Sequence, residues 1–192
     1  MNISIAKYKK TFSGHTIPAA LESLLKFQNR VGYENYSQAI TLQDDDKSGL
    51  VQGWSDDPLF LAALVPFARA NGSGSFYALW NNNESSNLAS WPVVVFGDEG
   101  GEWIVAENVI SLLQICACDT EPMVDHESAI FYKSEDDYEA SEYITEYKAW
   151  LKSSLQVEPI ETPDQIVESA QANLQESFNE WKQPFLAHWS NS

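Results

Sequence analysis

Basic side chains are scarce in this chain. Its 192 residues hold 11 lysines and arginines against 28 aspartates and glutamates, a formal net charge of −17. Three of the 11, Lys7, Lys9 and Lys10, precede the first acid at Glu22, so the rest of the chain is more acidic still. A field of that sign repels phosphates and anionic headgroups. It argues against direct nucleic-acid or membrane-surface binding and favours a basic protein as partner, with simple solubility as the plainer reading. Cysteine is also scarce. Cys116 and Cys118 are the only two, and positions i and i+2 of a helix diverge, so a disulfide between them is not expected. Without a second pair, a zinc ribbon is excluded, and the thiols read as small core or half-buried side chains in a reducing compartment. Long apolar runs are missing too. Leu59–Val65 and Val93–Phe96 fall short of the ~18 residues a membrane span requires. The lysines before Phe12 lead into no apolar stretch, so no secretory leader is expected and the chain reads as cytoplasmic.

What is present suffices for a core. Hydrophobic residues make up 44% of the chain and aromatics 12%, which rules out a disordered reading despite the charge. The length fits one domain, residues 1–192, able to bury about 70% of its extended surface. Pro18 to Asn29 reads as a helix with Ile17, Leu21, Leu24, Leu25 and Gln28 on one stripe and Gly32 near its stop. Two short strands are expected at Tyr36–Leu42 and Gly49–Trp54. Asp56 or Asp57 then caps a helix running from Pro58 to about Phe67. Asn71–Ser75 reads as a tight turn into a strand, Phe76–Trp80. The strongest β signal is the hairpin Val93–Phe96, turn Gly97–Gly101, return strand Glu102–Ala106. A helix from about Asn108 to Cys116 follows.

The segment Asp119–Glu146 holds ten acids and one base, Lys133, with a possible edge strand at Ala129–Tyr132. A helix from about Glu142 carries Tyr143, Tyr147, Trp150 and Leu151. Thr162, Pro163 and Gln165 form a capping box for a last helix bearing Ile166, Ala170, Leu174, Phe178 and Trp181. This order predicts an α+β fold, mostly an antiparallel sheet with helices packed on one side.

Catalytic patterns are absent. Gly53-Trp54-Ser55-Asp56-Asp57 begins like a nucleophile elbow but lacks its closing glycine, and a helix cap accounts for it. Asn71-Gly72-Ser73-Gly74-Ser75 lacks the lysine of a phosphate loop and opens a strand rather than a helix. Asp44-Asp45-Asp46 has consecutive rather than alternating acids, so a turn explains it better than a calcium loop. Asp125-His126-Glu127 sets three possible ligands side by side, where they rarely converge on one metal, and no histidine lies in a zinc-ligand spacing. The chain is therefore expected to be no enzyme and to hold no metal or cofactor.

Taken together, several segments resemble the SUKH superfamily, the Smi/Knr-like group of yeast cell-wall-assembly and killer-toxin-resistance regulators and many bacterial immunity proteins. Ile17-Pro18-Ala19-Ala20-Leu21 with Leu24–Asn29 is similar to its opening helix. Ala70–Trp80 resembles its glycine-bearing central strand, and Pro92–Leu113 its valine-rich hairpin followed by a helix. The match spans residues 15–118, and residues 119–192 look like the extension of one bacterial branch. The resemblance implies an α+β fold without catalytic residues or cofactor, and protection against a toxin, often a nuclease, by direct binding. A regulatory or scaffold role with no toxin partner is the alternative. If an acidic surface mimics phosphate for a basic toxin, the contact candidates are Asp44, Asp45 and Asp46 with Glu135, Asp136 and Asp137. Trp54 and Trp80 are candidate aromatic anchors, although core burial suits either.

Overall fold

A computed structural model describes residues 2–134 and 136–186. Ser4 opens the first helix, α1 (Ile5–Thr11), by accepting a hydrogen bond from the Lys7 N–H at 3.1 Å. Lys9 and Lys10 lie in its last turn, where the helix dipole favours cations. This helix was not expected. Its apolar positions Ile5, Tyr8 and Phe12 sit at helical spacing, but lysines between them break the apolar run. α2 (Ala19–Val31) follows Pro18 and stops at Gly32, and the expected stripe, including Gln28, is buried.

Five strands form one antiparallel meander in chain order: β1 (Thr41–Leu42), β2 (Leu64–Arg69), β3 (Phe76–Trp80), β4 (Val93–Phe96) and β5 (Glu102–Ala106). β3 and β4 are interior, and every residue in them is buried. Their alternation builds two cores. Tyr77, Leu79, Val93, Val95 and Val105 face α1, α2, α5 (Val109–Ile115) and α6 (Ile144–Trp150). Phe76, Ala78, Trp80, Val94, Phe96 and Ile104 face α3 (Ser48–Gly53), α4 (Pro58–Ala63) and α7 (Asp164–Leu186). The α+β antiparallel fold is thus as expected, but helices cover both sides of the sheet, not one. The continuous apolar runs of β3 and β4 demand this, because an exposed face would alternate with polar residues.

Three local expectations change. Gly49–Trp54 is not a strand: among residues 48–53 only Leu50 is buried, a one-sided pattern that suits the short helix α3. The helix after Pro58 ends at Ala63, and Leu64 onward is β2. Pro66 is tolerated there because β1 pairs only with Ala68 and Arg69, which leaves that side of Pro66 without a strand partner. Of Tyr36–Leu42, only Thr41–Leu42 is strand. The Gln28 side chain takes the place of a further strand neighbour, donating to the Leu42 carbonyl at 3.0 Å and accepting from the Leu42 N–H at 2.8 Å. Tyr36 Oη donates to the same Gln28 oxygen at 2.8 Å.

The acidic segment is tied to this frame. β6 (Met123–Val124) and β7 (Ala129–Ile130) make a separate small hairpin. Asp119, fully buried with φ 58°, accepts from the Gln38 N–H at 3.0 Å and Tyr138 Oη at 2.7 Å. It also accepts from the Ser141 N–H and Oγ at 2.8 and 2.6 Å.

Candidate functional site

A recess of about 750 Å³ opens where the start of β3 and the turn joining β4 to β5 meet α3. Six of the chain's nine glycines line it: Gly49, Gly53, Gly74, Gly97, Gly100 and Gly101. Gly101 shows why one of them is required. Its φ is 82°, and a Cβ there would run into the Asp125 carbonyl of the β6–β7 turn. Gly53 is different, since a Cβ at that position meets nothing. At Gly97, Gly100 and Gly101 the space a side chain would fill is taken by Val124, His126 and Asp125, so these glycines let the β6–β7 turn pack against the β4–β5 turn.

Trp54 forms the aromatic part of the lining. Its ring lies edge-on to Phe96 and Phe76, at centroid distances of 4.8 and 5.8 Å. Its indole N–H donates to Glu102 Oε2 at 3.0 Å, and Lys182 from α7 holds the other Glu102 oxygen. Asp98 closes the turn side. Ser75 and Ser73 donate their hydroxyls to its Oδ1 at 2.6 and 2.9 Å, and the Ser75 bond, foremost, holds this carboxyl below the usual carboxylate range. Asp45 accepts from the Lys47 N–H at 2.5 Å, and partial burial pushes its carboxyl up despite that bond. Asp45 and Asp98 carry no ion pair among the described residues, and no lysine or arginine lines the recess. The site is a negative, backbone-rich cleft with one indole in its wall.

The contact candidates divide. Asp45 and Trp54 line the cleft. Asp44 is ion-paired with Lys7 at 3.0 Å, and Asp46 is exposed and accepts from the Ser48 N–H at 3.1 Å. Trp80 is not an available anchor. It is buried beneath α7 against Phe178 and Trp181, and its indole N–H has no hydrogen-bond partner among the described residues. Glu135 lies outside the described residues. Asp136 and Asp137 are exposed but do not line the cleft, and Ser134 Oγ donates to Asp137 at 3.2 Å. Lys133, the only base of Asp119–Glu146, sits 3.8 Å from the Tyr138 ring centre and so is engaged within its own segment.

Sequence reasoning missed Asp98 and Glu102, reading one as part of a hairpin turn and the other as strand. The signal was acids and glycines spread over three separate turns and the start of β5, which only the fold brings together. Ser55 is buried and its hydroxyl accepts from the Asp57 N–H at 3.3 Å, while Asp57 caps α4 by accepting from Leu59 N–H at 2.7 Å. That is the expected cap. His126 is exposed in a turn closed by Asp125, which accepts from the Glu127 and Ser128 N–H groups. His188 lies outside the described residues. Among the described residues no three His, Cys, Asp or Glu side chains are placed to hold a metal ion, and no helix is long and apolar enough to cross a membrane. Cys116 and Cys118 are free and buried, and burial pushes both thiols up, Cys118 to about 11.

The molecule belongs, by architecture, to the α+β class: a five-stranded antiparallel meander between two helical layers. No family model, curated protein or solved structure matches the chain.

Proposed function

We propose that this chain is a non-catalytic binding domain that neutralises a basic protein partner by receiving it at the glycine-lined cleft. The SUKH resemblance makes that partner a toxin, a nuclease in the leading form. The carrying observation is the cleft itself, with the ionised Asp98, the partly buried Asp45 and the Trp54 indole in a lining that includes His126 but no lysine or arginine. A nuclease must be positive where it grips phosphate, and an acidic cleft presents to that surface what the phosphate would. The Asp98 and Asp45 carboxylates give acceptors to an approaching basic loop, and the indole gives it an apolar contact.

The test fills the cleft without disturbing its walls. Gly53 has an ordinary backbone conformation and open space at its Cβ, so Gly53→Phe places a ring in the recess. With a basic nuclease encoded beside this chain's gene, the wild type blocks nucleic-acid cleavage stoichiometrically. The variant keeps its melting temperature and loses the block. Inhibition that survives Gly53→Phe, or that needs far less than one equivalent, overturns the reading.

A further inference from the structure

The β6–β7 hairpin breaks the polar-out pattern of an otherwise acidic surface. Met123 and Ile130 are cross-strand partners and so point the same way; they are 60% and 46% exposed. Tyr132, two residues past Ile130 in the same alternation, is 66% exposed. The intervening side chains Val124, Ala129 and Phe131 are buried, so the inward row already serves the core. Folding gives the outward row no reason to be apolar. Only Val51 and Leu59 are other exposed large hydrophobics among the described residues, so three of five gather on one small hairpin.

Beside Ile130 runs a groove of about 340 Å³ between the hairpin and the first turns of α7. Glu127, Asp164 and Glu168 wall it, Trp103 contributes to its lining, and no lysine or arginine takes part. We propose that this outward face and its groove are a docking surface for a basic protein segment bearing apolar side chains. Apolar anchors would settle on Met123, Ile130 and Tyr132 while cationic residues meet the groove's carboxylates. A second copy of this chain is the poorer occupant, since it would bring two acidic rims and two charges of −17 together. The surface rests on the reading of the chain as a binding domain, but it shares no lining residue with the cleft.

Met123 is one of only two methionines, so methyl-labelled methionine reports on this face directly. The probe is a synthetic peptide alternating arginine and tryptophan; the controls alternate arginine with glycine and glutamate with tryptophan. The arginine–tryptophan peptide should move the Met123 methyl resonance saturably, and both controls should leave it in place. Ile130→Ser combined with Tyr132→Ser should weaken that binding about tenfold and leave the melting temperature unchanged, because both side chains are exposed. Gly53→Phe should leave the response intact. A silent Met123 methyl, or an equal response to arginine–glycine, overturns the proposal. So does a response lost in Gly53→Phe, which assigns the peptide to the cleft. A resonance that moves on dilution of the protein alone, with a doubled mass in sedimentation, gives the face to a second copy and overturns it too. Silence at Met123 beside intact nuclease inhibition rejects this surface and leaves the cleft reading in force.

Discussion

Val94 has no exposed surface and faces the layer formed by α3, α4 and α7, with Ala78 across from it on β3 and Ile104 on β5. An aspartate there has no cation or N–H to meet. Val94→Asp should cost several kcal/mol, on the order set by burying an unpaired charge, and thermal melting by circular dichroism reads it. An unchanged midpoint would place β4 at the periphery. Asp119 is the opposite case, a buried carboxylate that accepts four hydrogen bonds. Asp119→Ala orphans the Gln38 and Ser141 N–H groups and should cost about 2–4 kcal/mol. Limited proteolysis should then cut first between residues 133 and 143, which that carboxylate anchors. The burial of Val94 was legible in the apolar run of β4; the role of Asp119 was not. Asp119 stood in the sequence as one acid among ten, and its αL backbone and its partners from distant segments come only from the fold.

At the scale of elements, legibility followed the strength of the local pattern. β3, the β4–β5 hairpin and α5 emerged with nearly the bounds expected, because their apolar runs are bounded by glycines or by an asparagine cap. α7 carried its stripe, and Ala170 and Phe178 are indeed buried, but the helix begins at Asp164, one residue later than the capping box implied, with the Pro163 carbonyl accepting from the Ile166 and Val167 N–H groups. β2 was lost because Leu64-Val65-Pro66-Phe67 continues the apolar content of α4 without a break. Its register slips at Phe67, which has no partner in β3. β1 was overdrawn: only Thr41 and Leu42 pair with β2, and on the far side of Leu42 a glutamine side chain stands where a further strand would be. That substitution is testable. Gln28→Leu keeps the volume but leaves the Leu42 N–H and carbonyl and the Tyr36 hydroxyl without their partner, and should cost about 2–4 kcal/mol. Hydrogen exchange should show the Leu42 amide losing protection before those of β3. If Leu42 stays protected, the sheet ends by some other means.

The cleft was illegible for a different reason. Its acids, glycines and indole come from α3, three turns and the start of β5, and each had a sufficient local explanation as turn, cap or strand. Charge was legible, since it needs no fold, yet the structure redistributes it. Asp44 is neutralised by Lys7 and Glu102 by Lys182, which leaves Asp45 and Asp98 facing the recess. The whole molecule also has an alkaline limit. Burial raises Tyr8, Tyr36, Tyr77 and Tyr147 well above 10.0 and both thiols above 9.0. Once the pH passes 9.0 the unfolded chain sheds these protons while the folded one keeps them, so stability falls as pH rises. The melting temperature should drop between pH 8 and pH 10.5. Tyrosinate absorbance should show Tyr8, Tyr36, Tyr77 and Tyr147 titrating only as the protein unfolds, with Tyr138 also held back by partial burial and its bond to Asp119. Early, reversible titration of all eight tyrosines would mean that these hydroxyls are reachable in the folded state.

Association is the property on which the entire charge acts. With −17 on the chain and no lysine or arginine lining the cleft, a cationic partner would be drawn in from beyond contact distance, which can raise its on-rate from a typical ~10⁵–10⁶ towards ~10⁸ M⁻¹s⁻¹ at low salt. The screening length shrinks from ~10 Å at 0.1 M to ~3 Å at 1 M, so most of that advantage should vanish across the interval. Two sets of substitutions separate steering from contact. Asp136 and Asp137 are exposed and away from the cleft, so Asp136→Asn with Asp137→Asn should slow association and leave dissociation alone. Asp98→Asn alters a carboxylate inside the cleft and should mainly speed dissociation. Stopped-flow or surface kinetics at both salt concentrations measure each rate. An acidic partner, or an on-rate indifferent to salt, retires charge mimicry; a changed off-rate in the Asp136/Asp137 variant moves the contact out of the cleft.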